Sequence, residues 1–333
     1  VLSPHIGDLE TVPAWQAYER NLETLQELYE VKPERAACDL HPDYASTRHA
    51  HRHFRDVTTV QHHHAHILAV MAEHGIDEPV IGLAWDGTGY GTDGTIWGGE
   101  GLCVDRDGFT RAAFLRPFPL PGGDAAAREP RRSAFGLLHE MRAARGEARP
   151  HPDHPFTATE EAVLARAIER GLNTVRTSSM GRLFDAVASL LGLGQVSAHE
   201  GQAAMLVQAE AERCDHSVAP YPARLVPGPA AQLDWEPLID GLMSDRAAGV
   251  AVPVIARRFH HTLAEWAALI AARHPGLPVV LSGGCFQNAL LLTLVIDRLE
   301  ADGCRVKWPR QLPPNDGAIA VGQVVAAAWR KRA

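Results

Sequence analysis

The sequence predicts an α/β protein built from two lobes. Three observations carry this. Short apolar runs alternate with helix-period segments in both halves of the chain. Two of the apolar runs end in glycine-rich loops, one in each half. The 333 residues are also enough for two lobes of roughly 150 each.

Trp15, Tyr18, Leu22, Leu25 and Tyr29 recur at spacings of three and four, which predicts a first helix with Thr11 as N-cap and Pro13 in its first turn. A strand over Ala36 to Leu40 leads into the polar run His41 to Tyr44. A second strand, Thr58 to Gln61, runs into a histidine-rich helix start, and Gly75 stops that helix. Pro79 to Trp85 reads as an apolar strand ending at Asp86, followed by a glycine-rich turn and another strand near Ile96. Phe109 to Leu120 is extended and finishes in Pro121-Gly122-Gly123. Arg131 to about Gln208 is mainly helical, broken by a polar, proline-bearing loop near Pro150 to Pro155. A Pro/Ala-rich loop from Val218 to Pro229 precedes the last third. There a long helix (about Val254 to Arg273) leads to a strand, Pro278 to Leu281, and then to Ser282-Gly283-Gly284, which opens a helix. A short strand at Arg305 to Trp308 and a closing helix from Asp316 follow. The expected lobes are 1–125 and 126–333, the second carrying a helical insert.

Composition removes several function classes. No run approaches the ~18 apolar residues of a membrane span, and no charged-then-apolar leader opens the chain. With 32 Lys+Arg against 40 Asp+Glu the net charge is −8, which argues against a surface that coats nucleic acid. Cys38, Cys103, Cys214, Cys285 and Cys304 are scattered and never in a CxxC pair, so reduced thiols in a cytoplasmic protein are expected rather than disulfides or a cysteine-rich zinc site. None of the three lysines sits in a GxxxxGK[ST] loop, which excludes a P-loop fold. The chain opens with Val1 inside what reads as ordered sequence, so a fragment of a longer protein is expected.

The densest chemistry is Gln61-His62-His63-His64-Ala65-His66. In a helix that begins near His62, His62 and His66 lie about 40° apart around the axis and can grip one divalent metal through neutral imidazoles. His63 and His66 form a competing i, i+3 pair, and spacing alone leaves both open. Single histidines at such junctions usually cap helices or face water. His49 and His53, also four apart, have no strand-end carboxylate nearby and read as a solvated helix face. Two histidines need carboxylates to complete a site, and the candidates are Asp86 at a strand end and Asp316 ahead of the last helix. Each would otherwise be a turn or cap residue.

Asp86-Gly87-Thr88-Gly89-Tyr90-Gly91-Thr92-Asp93-Gly94 lets backbone approach a phosphate closely, and Asp86 and Asp93 offer oxygens to a metal or water. Such a run is also a common hairpin turn. Ser282-Gly283-Gly284-Cys285-Phe286-Gln287-Asn288 follows a strand and opens a helix, an anion-binding geometry. Asp185, on an otherwise apolar helix face, needs a partner, either a ribose hydroxyl or an arginine. Glu200 stands at a helix start beside Gly201.

Taken together, these segments resemble the C-terminal domain of the hydrogenase maturation carbamoyltransferases, the HypF family, which is related to the tRNA threonylcarbamoyltransferase TsaD. The matching stretches are LSPHIGDLE from Leu2, CDLHPDYAST from Cys38, QHHHAHILAVMAEH from Gln61, DGTGYGTDGTIWGGE from Asp86, GRLFDAVASLLGL from Gly181, EGQAAM from Glu200, LSGGCFQN from Leu281 and PPNDGAIAVGQ from Pro313. They cover nearly the whole chain in the family's order.

The resemblance implies a two-lobed actin/sugar-kinase/Hsp70-like (ASKHA) fold whose first lobe lacks the family's first strands. It implies one divalent metal, iron or zinc, held by His62, His66, Asp86 and Asp316, which selects the i, i+4 pair over His63. ATP or carbamoyl-adenylate would lie against Gly87, Thr88, Asp185, Glu200, Gly283, Gly284 and Asn288. It further implies an upstream adenylate-forming domain in the same polypeptide and transfer of the carbamoyl group to the C-terminal cysteine of the partner HypE, on the way to a cyanide ligand of [NiFe] hydrogenase. The nucleophile then belongs to the partner, and Cys285 is a packing thiol. The family's acylphosphatase-like, zinc-finger and adenylate-forming domains have no counterpart in this sequence. The rival readings are an O-carbamoyltransferase acting on a small-molecule hydroxyl, a tRNA modifier with a basic path to its cleft, and a nucleotide-binding actin-like scaffold without transfer chemistry. The implied protein works without nucleic acid or membrane.

Overall fold

The computed structural model describes residues 1–4, 6–9, 11–123, 125–146 and 155–330, so all but the last residue of the expected 150–155 loop lies outside the described residues. Among the described residues, nine strands form one mixed sheet, and two more form a separate parallel pair. Val80–Tyr90 is central to the large sheet. Val279–Ser282 runs parallel to it on one side and Ile96–Asp105 antiparallel on the other.

The apolar run before Asp86 is buried on both faces, as a central strand should be. Alternation sends Ile81, Leu83 and Trp85 into the larger core, against Leu183, Phe184 and Phe259 of the helices Met180–Leu190 and Val252–Ala271. Val80 and Ala84 face the opposite way, onto Ile67, Leu68 and Met71 of the helix His62–His74. Helices therefore cover both faces of the sheet. None of them, among the described residues, is long and apolar enough to cross a membrane.

The last helix, Ile319–Trp329, lies along His62–His74. Contact is so close that a Cβ on Gly322 would stand 1.8 Å from the carbonyl oxygen of Ala65, so only glycine fits. The loop ahead of this helix is tied to the first one. The Glu73 carboxylate accepts the backbone N–H groups of Arg310, Gln311 and Leu312 at 2.7, 2.8 and 3.2 Å.

Several local expectations need correction. Asp86 to Tyr90 is not a turn; the strand continues to Tyr90 through a register shift between Trp85 and Gly89, because Gly89 and Tyr90 find partners in Trp97 and Ile96. The 218–229 loop contains a strand, Arg224–Val226, which pairs with Ala231–Asp234 across Pro227-Gly228-Pro229. The mainly helical region also includes a strand, Thr174–Thr177. Ser282-Gly283-Gly284 does not open a helix directly. A single 3-10 turn, Gly284–Gln287, intervenes, and the helix Ala289–Ala301 starts where Asn288 can cap it.

The first helix, Val12–Leu28, is capped by Thr11 as expected, yet none of its residues is fully buried. Trp15 and Tyr18 meet His49 edge-on, with ring centroids 5.5 Å away in both cases. His49 is therefore half-buried under that helix, not on a solvated face; of the pair, only His53 is exposed.

Candidate metal and nucleotide cleft

Gln61 starts the histidine helix. Its side chain accepts the His64 N–H at 2.9 Å, which sets the first helical residue at His62. His62 and His66 then lie one turn apart on one face, both buried. Asp86 continues the even-numbered side of its strand, the side of Val80 and Ala84, and so points at this helix. Asp316 arrives from the 3-10 turn Asp316–Ala318 that leads into the closely docked last helix.

One donor atom from each of His62, His66, Asp86 and Asp316 lies within 4.8 Å of all the others. His66 Nε2 is 2.9 Å from Asp86 Oδ2, and the His62–Asp86, His62–Asp316 and His66–Asp316 contacts are each 3.5 Å. Donors bound tetrahedrally to one ion at 2.0–2.1 Å stand about 3.3 Å apart. His62 Nε2, His66 Nε2 and Asp86 Oδ2 are buried and have no hydrogen-bond partner. Three orphaned polar atoms turned toward one point are what a cation would satisfy, so the residues fit a metal. Asp316, with 71% of its side chain exposed, leaves the front of the cluster open. His63 is not in this group.

Imidazoles and carboxylates in this cluster shift one another's pKa values in opposite directions. Burial would depress the imidazoles, but the carboxylates of Asp316, Asp39 and Asp86 raise His62 well above its ordinary value, and Asp316 and Asp86 raise His66. In turn, the surrounding protein would raise the two carboxyls, and the imidazoles hold Asp86 well below its usual value and Asp316 below it. A metal would bind these imidazoles in their neutral form, so its affinity would fall at low pH.

Sequence reasoning missed Asp39. Its buried carboxylate is 2.9 Å from His62 Nδ1 and accepts the His41 N–H at 2.8 Å. The parallel pair Arg35–Asp39 and Asp56–Val60 places it there, since Asp39 is in register with Val60, two residues before His62. With Nδ1–H donated to Asp39, Nε2 presents its lone pair to the metal position. Asp39→Ala is expected to weaken metal binding by about 10–100-fold, measured by chelator competition, with Asp39→Asn recovering part of the loss. An unchanged affinity in the alanine variant would remove this role. Asp39 ends Arg35–Asp39, one strand earlier than the Asp56–Val60 strand that leads into the histidines, so sequence spacing alone does not point to it. Asp93 goes elsewhere: Thr95, Trp97 and Arg111 take its oxygens.

The candidate nucleotide residues border two cavities. Gly87, Thr88 and Glu200 line one of about 550 Å³, together with Arg128 and Arg182. Glu200, Gly284 and Asn288 line another of about 360 Å³, with Phe184. Glu200 stands at both. It is exposed, yet the protein around it and the carboxylates of Asp316, Asp86 and Asp8 raise its pKa. Gly283 has φ +100°, and a Cβ there would lie 2.3 Å from the Trp85 carbonyl oxygen. The loop therefore passes directly beside Asp86. Asn288 is held at both ends, Oδ1 accepting from Leu291 N and Nδ2 donating to the buried His260.

Asp185 lines neither cavity and finds an arginine, with Arg182 Nη1 at 2.9 Å from its Oδ2. Burial pushes the Asp185 pKa up to about 6 against the pull of Arg182. The folded chain therefore keeps a proton that the unfolded chain loses near pH 3.9, and stability falls as pH rises from about 4 to 6. Asp185→Asn is expected to flatten that slope, worth about 3 kcal/mol at most, in urea titrations from pH 4 to 7. An undiminished slope would place the titration elsewhere.

A family model described as "HypF Kae1-like domain" matches residues 1–73, and "Carbamoyltransferase, Kae1-like Domain, second subdomain" matches residues 82–323. The chain belongs to the HypF carbamoyltransferase family. The Carbamoyltransferase HypF of Synechocystis sp. is 40% identical over 342 residues, which cover 98% of this chain and 44% of that protein. A Carbamoyltransferase HypF homolog of Cupriavidus necator is 39% identical, and there the match covers 86% of the relative. The chain thus spans a little under half of the full-length HypF protein and most of the shorter one. Among solved structures, full-length HypF in its phosphate- and nucleotide-bound form superimposes with TM-score 0.91 at 37% identity, over 97% of this chain and 51% of that one. T. kodakarensis HypF gives 0.85 at 29%, over 98% and 44%. The α/β, actin/sugar-kinase/Hsp70-like (ASKHA) fold expected from the sequence is the fold of this HypF domain.

Proposed function

We propose that this chain is the carbamoyl-transfer domain of a HypF protein. It binds carbamoyl-adenylate beside one divalent metal, iron or zinc, and passes the carbamoyl group to the C-terminal cysteine of HypE. The observation that carries the reading is the convergence of His62, His66, Asp86 and Asp316, with three orphaned buried donor atoms, next to the Gly87 and Gly284 backbone in a HypF-type fold.

In the transfer, the acceptor thiolate forms a bond to the carbamoyl carbon, the bond from that carbon to the phosphate oxygen breaks, and AMP leaves. The four donors would hold the metal, which supplies a positive charge for phosphate and carbonyl oxygens. The three buried donors exclude water from behind, while exposed Asp316 leaves an approach for substrate. Asp39 fixes the His62 ring. Cys285, closest of the thiols to this loop, does not compete as nucleophile, because burial raises its pKa well above the ordinary thiol value. An upstream domain of the same polypeptide would supply carbamoyl-adenylate.

The test gives purified chain, reconstituted with iron or zinc, synthetic carbamoyl-adenylate and HypE, and reads the C-terminal peptide by mass spectrometry. A carbamoylated cysteine is expected. An unmodified cysteine with this chain and with a full-length HypF alike would overturn the reading.

A further inference from the structure

Arg182 stands beside the metal cluster with two side-chain donors that no hydrogen bond takes up. Ser179 caps its helix, and the Ser179 hydroxyl lies 2.8 and 2.7 Å from the carbonyl oxygens of Asp86 and Gly87, clamping the helix start onto the metal-side strand. The guanidinium is thereby held over Gly87, its Nη2 3.9 Å from where a Cβ on Gly87 would stand. Nε and Nη1 are buried without a hydrogen-bond acceptor. The Asp185 contact is an ion pair lacking hydrogen-bond geometry, and Asp185 Oδ2 has no hydrogen-bond partner. A guanidinium presents five N–H groups in a planar fork that matches two oxygens of one anion. A purely structural arginine would spend that fork on protein oxygens.

Arg182 lines the cavity of about 550 Å³ that also holds Gly87 and Thr88, the two residues after Asp86. Exposed Arg128 adds a second positive charge to the same lining. Asp8 and Glu200 are there too, so an anion is favoured only where it meets the guanidinium donors directly. We propose that Arg182 forms an oxyanion subsite in this cavity, taking a phosphate or carboxylate group beside the metal position. The subsite deepens the transferase reading and rests on it. Two groups would bring this chemistry to the cleft, the phosphate of an adenylate and the carboxylate that ends an acceptor chain.

Calorimetry on the whole metal-loaded chain separates them, with AMP against adenosine, and a cysteine-ended peptide as free acid against its amide. Wild-type protein is expected to prefer one charged form about tenfold or more. In Arg182→Gln that preference collapses while the neutral form binds as before. Loss of the AMP preference assigns the subsite to phosphate, and loss of the acid preference assigns it to the carboxylate. Arg182→Lys keeps a charge opposite Asp185 but not the fork, so it guards against a folding failure; it too should lose most of the preference. Both preferences surviving in both variants overturns the subsite. If wild-type protein binds neither adenosine nor AMP and does not distinguish the peptides, the transferase reading of the cleft falls and the subsite with it.

Discussion

His62→Ala is expected to lower metal affinity by well over about 100-fold, because losing an outer partner of a ligand already costs 10–100-fold and this change removes the ligand itself. Transfer to the acceptor cysteine should vanish with the metal. His63→Gln provides the contrast. His63 is one residue away and equally buried, but its Nδ1 is 3.0 Å from Gln61 Nε2 and it is not among the clustered donors. That variant is expected to keep metal within about threefold of wild type while losing some stability, as a buried polar replacement does. Metal content after dialysis, with chelator competition for affinity, distinguishes the two. If both variants lose metal equally, the i, i+4 assignment is wrong.

The second large effect is at Gly322, which is not itself a ligand but packs against Ala65, next to His66. A Cβ there would meet backbone only: Ala65 oxygen at 1.8 Å, its carbonyl carbon at 2.6 Å and its Cα at 2.9 Å. No rotamer change relieves this, so the helices must part. Gly322→Ala is expected to cost about 3 kcal/mol in urea unfolding, at the upper end for overpacking. Because the helix carries Asp316 on its leading turn, metal affinity should fall as well. Val324→Ala, on the exposed side of the same helix, should stay within about 0.5 kcal/mol. A Gly322→Ala protein as stable as wild type would mean that the docking is looser than the structure shows.

Much of this was legible in sequence for identifiable reasons. The histidine helix was bounded in the sequence by the strand that runs into it and by the glycine that stops it, while its cap, Gln61, read as the end of that strand. Strand 80–90 was readable as far as Trp85 because a fully buried strand is a continuous apolar run; its glycine half looked like a turn, since only the partner strand reveals that it stays paired. Asp185 could be flagged as needing a partner, but the choice of Arg182 depends on helix rotation. Asp39 was hidden by a different limit. A strand-end aspartate is ordinary until a parallel neighbour sets it beside a particular imidazole. His49 failed for the same reason, because what covers it lies thirty-odd residues earlier in a helix whose own burial is weak.

The donors of the cleft are far apart in sequence, and Asp316 is set by a helix that must dock after everything before it has been made. During synthesis the His62 helix and the Asp86 strand emerge before Asp316 and would present two imidazoles and a carboxylate with no fourth ligand. Full-strength capture of an ion by these four residues would wait until the Gly322 helix seats against Ala65. A chain stalled before residue 316 would lack the fourth donor and would hold such an ion less tightly.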